Sequence, residues 1–331
     1  MQRACPREQN FTPSICSGCS VASPQPYSVG AGIVRPEPED YVWAYGSTAA
    51  RGICDGGRQS VARHVTRSHL IAALRALGVR EGAVVMLHAA VGAIGWVVGG
   101  PRVVLDALLD LLTPAGTLVM LASWEGHPYD LPRWPDTQQA TWLAACPPFD
   151  PLTSPADHRE LSILAEYLRT WPGARRSDHP LASVVAVGAR ANWLVAPHPW
   201  QYGHGPGGPL ARLCEGGGAV LVLGAPLSSI TLLHHAEHLA DIPAKRVDRY
   251  TMPVLRDGRT AWIAIEEYDT TEGIADFGEG EEDAFAVIAR DYLATGRGCA
   301  GTVGQAPAYL FPADDLMHFG VAWMERRYRL P

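Results

Sequence analysis

Hydrophobic and polar positions fall into blocks with helical or strand periods from residue 66 onward. Ser68 can cap a first helix that Gly78 ends, and its apolar positions at helical spacing are Leu70, Ile71, Leu74 and Leu77. Unbroken apolar runs at 83–87, 117–122, 184–187 and 220–223 are typical of strands covered on both faces. Further helices are predicted at 101–112, 161–171, 284–294 and 314–326, with one strand between the last two, and a hairpin at 250–266. This alternation predicts an α/β fold, with a central mixed, largely parallel sheet that carries helices on both faces.

Two stretches lack these periods. Residues 1–65 are rich in Pro, Gly, Ser and Arg, which predicts a flexible N-terminal extension before a single domain at 66–331. Residues 123–159 are predicted to form a long irregular loop, and loops of that length are usually functional or disordered.

Composition narrows the class of partner. The chain has 331 residues, 47% of them hydrophobic, and a net charge of −7, which argues against nucleic acid and is compatible with a cationic ligand. No apolar run reaches the roughly 18 residues of a membrane helix. The first ten residues lack the apolar core of a signal peptide, so we expect a cytoplasmic protein without a membrane partner. Both a monomer and a homodimer remain open.

The seven cysteines do not predict a disulfide framework, because their number is odd and no secretion signal is present. Cys16 and Cys19 have metal-ligand spacing, but no second close pair accompanies them. An incidental pair in a flexible extension is favoured over a zinc site, so no metal is predicted.

The candidate chemistry lies at 220–238, where an apolar strand passes through Gly224 into a helix. Thr231, His234 and Glu237 follow at three-residue spacing, and Ser228 or Ser229 can cap this helix. A neutral imidazole paired with a carboxylate is suited to general-base work on an amine or hydroxyl. The alternative, one histidine packed in the core and its neighbour facing water, is equally compatible with the spacing.

Several separated motifs, in one order, resemble those of the aminoglycoside 3-N-acetyltransferases over residues 66–331. They lie at 88–95, 99–101, 149–151, 176–180, 223–227 and 231–237. The resemblance implies a family-specific antibiotic acetyltransferase fold. It also implies transfer of an acetyl group from acetyl-CoA to the 3-amino group of a 2-deoxystreptamine antibiotic, and hence resistance.

The resemblance also implies roles for single residues. His234 matches the general base, Thr231 is expected beside the thioester, and Glu237 orients His234 or anchors the helix. His179 is a second candidate base, although its motif favours a role in ordering a loop. A base of near-neutral pKa suits an amine that loses a proton as it attacks, and direct transfer needs no covalent intermediate. The chain has no GxSxG motif and no convincing nucleophilic cysteine, which agrees with direct transfer.

Two further sets of residues are expected at the site. The expected cofactor contacts are Ala90, Val91, Gly92, Ala93, Ile94, Gly95, Arg176, Ser177 and Ser183. The loop at residues 90–95 would contribute its backbone amides. The motif that contains Arg176 and Ser177 is equally compatible with a charged surface turn. The expected contacts of a polycationic substrate are Trp124, Tyr129, Asp130, Glu266, Glu267, Asp269 and Asp276. Each of these acids taken alone is more often a solvated surface residue.

The chain departs from some relatives at Ser228, where they have aspartate, and at Ala286, where they have a glutamate that can support the histidine. Glu282 or Glu237 can take over that support.

Alternatives to the drug acetyltransferase are an acyl-CoA transferase acting on another amine and a non-catalytic protein that binds aminoglycoside or CoA. A zinc hydrolase using neighbouring histidines is disfavoured, because adjacent histidines point in different directions on a helix and no HExxH motif is present.

Overall fold

Seven of the strands form the central sheet and two form a separate hairpin, in a computed structural model that describes residues 64–126, 131, 134–243, 245–270 and 282–328. The strands are β1 (Val84–Ala89), β2 (Thr117–Leu121), β3 (Arg175–Arg176), β4 (Val184–Gly188), β5 (Ala219–Leu223), β6 (Val247–Arg256), β7 (Arg259–Tyr268), β8 (Cys299–Val303) and β9 (Ala306–Pro312). The helices are α1 (Arg67–Leu77), α2 (Arg102–Leu112), α3 (Asp136–Ala145), α4 (Ile163–Arg169), α5 (Ala191–Val195), α6 (Pro209–Glu215), α7 (Leu232–Leu239), α8 (Ala284–Ala294) and α9 (Ala313–Tyr328). None of these helices is long and apolar enough to cross a membrane.

The sheet has the strand order β3-β4-β2-β1-β5-β9-β8. β1 pairs in parallel with β2 and β5, whereas β2–β4, β3–β4, β5–β9 and β8–β9 are antiparallel. The predicted α/β class and mixed sheet are confirmed, but the expectation of a largely parallel sheet is wrong. One reason is that β8 and β9 are two strands joined by a tight turn, where one strand was predicted, and a tight turn imposes antiparallel pairing.

Helices cover both faces of the sheet, as predicted. Val85 and Leu87 of β1 pack in a core with α1, α2 and α4, whereas Val84 and Met86 face a second core formed with α5 to α9. The alternation follows from the period of two in a strand. After β1 the chain therefore continues into α2 on one face, and after β5 it continues into α7 on the other.

Local signals set most helix ends within a residue or two of their predicted positions. Thr66, not Ser68, caps α1 through a capping box with His69, and Gly78 ends it in a left-handed conformation at φ 119°. Ser228 and Ser229 do not cap α7, because they lie in a 3-10 turn in which Ser229 Oγ donates to the carbonyl of Pro226.

The hairpin β6–β7 is joined by Asp257 and Gly258, both at positive φ (50° and 72°), as a two-residue turn with matching twist requires. Its inner face packs on Trp124 and Phe149. Both of its edges are bonded: Phe149 exchanges backbone hydrogen bonds with β6, at Pro253 O and Leu255 N. On the β7 side, Gln201 and Tyr202 bond to the backbone of Ala264 and Glu266, which fixes the hairpin to the body of the fold.

The segment 123–159 is less irregular than predicted, because it contains α3. None of the ten residues of α3 is buried, so the helix has no apolar stripe that a periodicity argument could detect. Residues 1–63 lie outside the described part of the chain, so the predicted extension at 1–65 stays a prediction.

Candidate active site

The candidate site lies where two neighbouring parallel strands end. Ala89 of β1 and Leu223 of β5 are register partners, and the chain leaves these strands toward opposite faces of the sheet. Such a divergence opens a crevice at the carboxyl ends of the strands, the usual ligand position in α/β sheets. Gly224 permits the close approach of the two loops: it has φ 70°, and a Cβ there would lie 2.7 Å from that of Ala93.

His234 and Glu237 form a hydrogen-bonded pair on α7. His234 Nδ1 lies 2.7 Å from Glu237 Oε2, and the side chains are 27% and 4% exposed. Because the carboxylate accepts, the proton resides on Nδ1, which leaves the Nε2 lone pair available. Phe285 packs edge-on against the imidazole at 4.8 Å, and His204 stacks on it at 5.3 Å with an interplanar angle of 22°. The ring is therefore held in one orientation.

Thr231 lies one turn before His234, at the N-cap of α7. Its backbone is helical, and its side chain does not cap the helix. Only 6% of the residue is exposed. Within the described part of the chain its hydroxyl has no hydrogen-bond partner, so it is available to a group bound beside His234.

Two histidines beside the pair were not predicted as site residues. His88 is the residue before the last one of β1, on the face that holds α7, and burial, followed by the charge of His234, lowers its pKa to about 4. Burial is also the main cause that holds the pKa of His204 well below its usual value, again with a contribution from His234. In the described structure Nε2 of each ring is buried without a hydrogen-bond partner. Only the fold shows that these neutral rings surround His234.

His179 does not have the geometry of a base. Its Nδ1 accepts from the backbone N–H groups of Leu181 (3.2 Å) and Ala182 (2.9 Å), and its Nε2 lies 3.3 Å from the carbonyl of Trp200. The residue is 1% exposed. With both nitrogens engaged by backbone, the contacts of His179 favour a role in ordering its loop, and its catalytic role stays a prediction.

Arg176, Ser177 and Ser183 also have internal partners. The guanidinium of Arg176 donates to the carbonyls of Ala122 and Ser154 and to Ser183 Oγ, and burial lowers its pKa to about 9. Ser183 and Ser177 are buried; Ser177 Oγ accepts from Val184 N and contacts His198 Nδ1. These internal contacts favour a structural role, and the expected phosphate or pantetheine contact of these residues stays a prediction.

Replacing Arg176 distinguishes a structural role from a cofactor contact. In Arg176→Met two carbonyls lose a buried donor, and we expect the free energy of unfolding to fall by about 2–4 kcal/mol. Affinity for CoA should stay unchanged in the protein that remains folded. Chemical denaturation and calorimetric titration measure the two quantities, and Arg175→Met, at an exposed neighbour, is the matched control. Weaker CoA binding at unchanged stability would return Arg176 to the cofactor site.

The loop expected to hold the cofactor forms a 3-10 turn, Val91–Ile94. Ile94 is fully buried, whereas Gly92 and Ala93 are exposed at the mouth of the crevice. Gly95 has φ 92°, and a Cβ there would lie 2.6 Å from Gln305 Nε2. The backbone at 92–93 is thus the part of the loop that a ligand can reach, and cofactor binding by Ala90 to Gly95 stays a prediction.

The residues predicted to contact the substrate do not share one environment in the structure. Trp124 is 3% exposed and packs on Phe149, so it is a core residue and not an exposed aromatic. Glu266 accepts from the Tyr202 hydroxyl and from Arg249 Nε. The Asp269 carboxylate lies 3.7 Å from Arg246, and Glu267 is bonded internally. Tyr129, Asp130 and Asp276 lie outside the described residues.

Geometry identifies the carboxylate that contacts His234. Glu282 forms an exposed, bidentate ion pair with Arg290 on α8, so its carboxylate is engaged away from His234. Ala286 follows Phe285 in the first turn of α8, whose N-terminus Asp283 caps. Glu237 is therefore the carboxylate that contacts His234.

The buried histidines predict acid sensitivity. Burial is the main cause that lowers the pKa of His88 and His179 to about 4 and of His198 to about 3, from 6.5. Between these values the unfolded chain binds protons that the folded chain does not. The free energy of unfolding should therefore fall as the pH drops from about 6.5 to 4, by up to about 1.4 kcal/mol per pH unit for each histidine.

Urea denaturation at pH 7 and pH 5 measures this loss. His179→Asn, whose amide oxygen can accept in place of Nδ1, should flatten the dependence. A free energy of unfolding that stays constant or rises toward pH 5 contradicts the prediction.

A histidine that is hydrogen-bonded through one nitrogen to a buried carboxylate has the arrangement suited to accepting a proton from a bound nucleophile. Residues 86–325 match the family model described as aminoglycoside 3-N-acetyltransferase. The chain is 52% identical over 263 residues to aminoglycoside N(3)-acetyltransferase III of Pseudomonas aeruginosa, which covers 80% of this chain and 94% of that protein.

Solved structures agree with these similarities. AAC-IIIb in its binary complex with CoASH superposes with a TM-score of 0.74 at 46% identity, covering 81% of this chain and 99% of that one. AAC-VIa bound to sisomicin superposes with a TM-score of 0.75 at 38% identity, and the match covers 81% of this chain and 100% of that one. The chain belongs to the aminoglycoside 3-N-acetyltransferase family, and it is an acyltransferase. The predicted family is confirmed.

Proposed function

We propose that the protein transfers the acetyl group of acetyl-CoA to the 3-amino group of a 2-deoxystreptamine aminoglycoside, and so confers resistance. The observation that carries the proposal is the His234–Glu237 pair, in which Nδ1 is bonded to the carboxylate and Nε2 has no hydrogen-bond partner among the described residues. Relatives solved with CoASH and with sisomicin support the two substrates. Since acetyl-CoA is a cytoplasmic metabolite, we infer that the enzyme works in the cytoplasm.

Each proton transferred and each bond formed or broken in this reaction can be assigned. His234 Nε2 accepts a proton from the attacking amine, whose nitrogen forms a bond to the thioester carbon. The carbon–sulphur bond then breaks, and the proton on Nε2 is passed to the departing sulphur, which gives an amide and free CoA. Glu237 keeps the Nδ1 proton in place and stabilises the imidazolium formed midway. No enzyme side chain needs to become acylated.

Charge supports an amine-bearing acceptor. The net charge of −7 favours a polycationic substrate. His88 and His204 are kept neutral by burial, so the imidazoles around the base do not repel a second ammonium group.

An acetylation assay tests the function. Purified protein with acetyl-CoA and gentamicin, tobramycin or apramycin should release free thiol, and mass spectrometry should locate the new acetyl group on the 3-nitrogen. Acetylation at another nitrogen would contradict the proposed transfer to the 3-amino group. Thiol release with other amines, but with none of the three drugs, would indicate a different acceptor, and no turnover at all would overturn the proposal.

The Thr231 hydroxyl is expected to donate to the departing sulphur. In Thr231→Val, which keeps the shape of the side chain, we expect kcat to fall about tenfold or more with little change in KM, because one transition-state hydrogen bond is lost. Thr231→Ser should restore most of the rate. Steady-state kinetics decide, and a rise in KM at unchanged kcat would show that the hydroxyl binds ground-state substrate instead.

A further inference from the structure

The carboxylate of Glu267, at the end of β7, is bonded to three segments of the chain. Oε2 accepts from the backbone N–H of Gly203 at 2.7 Å. Oε1 accepts from His238 Nε2 at 2.7 Å and from the backbone N–H of Tyr268 at 2.9 Å. The side chain is 15% exposed. Both oxygens are therefore engaged by protein donors.

His238 carries the first connection to the base. Its side chain is 2% exposed and lies edge-on to the rings of Tyr268 (4.9 Å) and Tyr202 (6.1 Å). Nδ1 lies 2.7 Å from the carbonyl of His234, so both ring nitrogens face oxygen acceptors. His238 therefore connects the Glu267 carboxylate to the backbone of α7 at His234.

Gly203 carries the second connection. It precedes His204, whose ring stacks on that of His234, and the His204 carbonyl accepts from His235 Nδ1 at 2.8 Å. The position of the stacking ring thus depends on the loop backbone that Glu267 holds.

We propose that Glu267 is a positioning residue that fixes His234 from two sides, through His238 on α7 and through Gly203 beside His204, and that it is not a ligand for substrate amines. The proposal rests on the acyl-transfer function above. Its physical basis is that proton transfer and attack require aligned atoms, so that an error of about 1 Å can cost about 10²-fold in rate.

Glu267→Gln separates positioning from substrate binding. The amide has the same shape, but it removes the charge and sets an NH₂ group against one of the N–H donors. We expect kcat to fall about 10- to 100-fold, with KM for acceptors of different charge unchanged within about twofold. His238→Gln should give a similar fall, and the double variant should fall little further, because both changes break one connection. Glu81→Gln, an exposed site with the same change of charge, should keep the wild-type rate.

A second measurement does not need turnover. In wild-type protein, NMR should show a slowly exchanging Gly203 amide and a downfield His238 imidazole proton, and both should exchange faster in Glu267→Gln. If the wild-type protein acetylates no drug while these signals behave as expected, the proposed function fails and the connection stands. Three results would overturn the proposal: a KM that rises with acceptor charge at constant kcat, a lower melting temperature with normal kcat per folded molecule, or signals that do not change.

Discussion

His234→Ala should lower kcat by about 10²–10⁴-fold, the usual contribution of a general base. Alanine removes the nitrogen that accepts the amine proton, while the crevice between β1 and β5 and the stacking residue His204 remain in place. KM for both substrates should change little, because the imidazole acts on the proton and not on the bulk of either molecule. Free-thiol assays under saturating substrates measure the effect.

Two controls accompany that experiment. His318→Ala, at an exposed position on α9, should keep the wild-type rate. Thermal denaturation should show that the His234 variant is folded. The His234 side chain is 27% exposed, so its removal leaves no fully buried cavity. A folded His234→Ala protein with near-normal kcat would remove His234 from the mechanism and would favour proton transfer to solvent.

Glu237→Gln should give the second largest loss, about 10²-fold or more in kcat, because an amide in place of the buried carboxylate no longer fixes the tautomer of the base or stabilises the imidazolium. The 2.7 Å contact and the 4% exposure of Glu237 place this carboxylate where solvent cannot substitute for it. Steady-state kinetics on Glu237→Gln and Glu237→Asp measure the loss.

The control is Glu282→Gln, which removes a carboxylate that is exposed and paired with Arg290. We expect it to have almost the wild-type rate. If Glu282→Gln were the slower of the two variants, the assignment of the supporting acid would have to be reversed. A Glu237→Gln protein that unfolds without a change of kcat per folded molecule would reduce Glu237 to an anchor of α7.

Much of the fold was predictable where a local signal decides. α8 has its predicted bounds, and α1 ends at Gly78, because apolar spacing and end residues act within one turn. The direction of the strands was not predictable, since a run such as 184–187 is equally apolar beside a parallel or an antiparallel neighbour. α3 was missed because it buries nothing.

The same limit applies to the site. The His234–Glu237 contact lies within one helical turn, and spacing alone placed it. His204 comes from a loop 30 residues earlier, and only tertiary packing brings it onto His234. His179 and Arg176 belong to a motif that resembles the family, but a motif does not show whether a side chain faces a ligand or the backbone of its own loop.

The bonded edges of the β6–β7 hairpin have a consequence for solubility. A long two-stranded ribbon with free edges is a template for pairing with other chains. Here Phe149 occupies part of one edge and Gln201 with Tyr202 occupies part of the other, so neither offers an uninterrupted row of N–H and C=O groups to a neighbour. The contacts that hold the hairpin in place therefore also protect the folded enzyme against edge-to-edge aggregation.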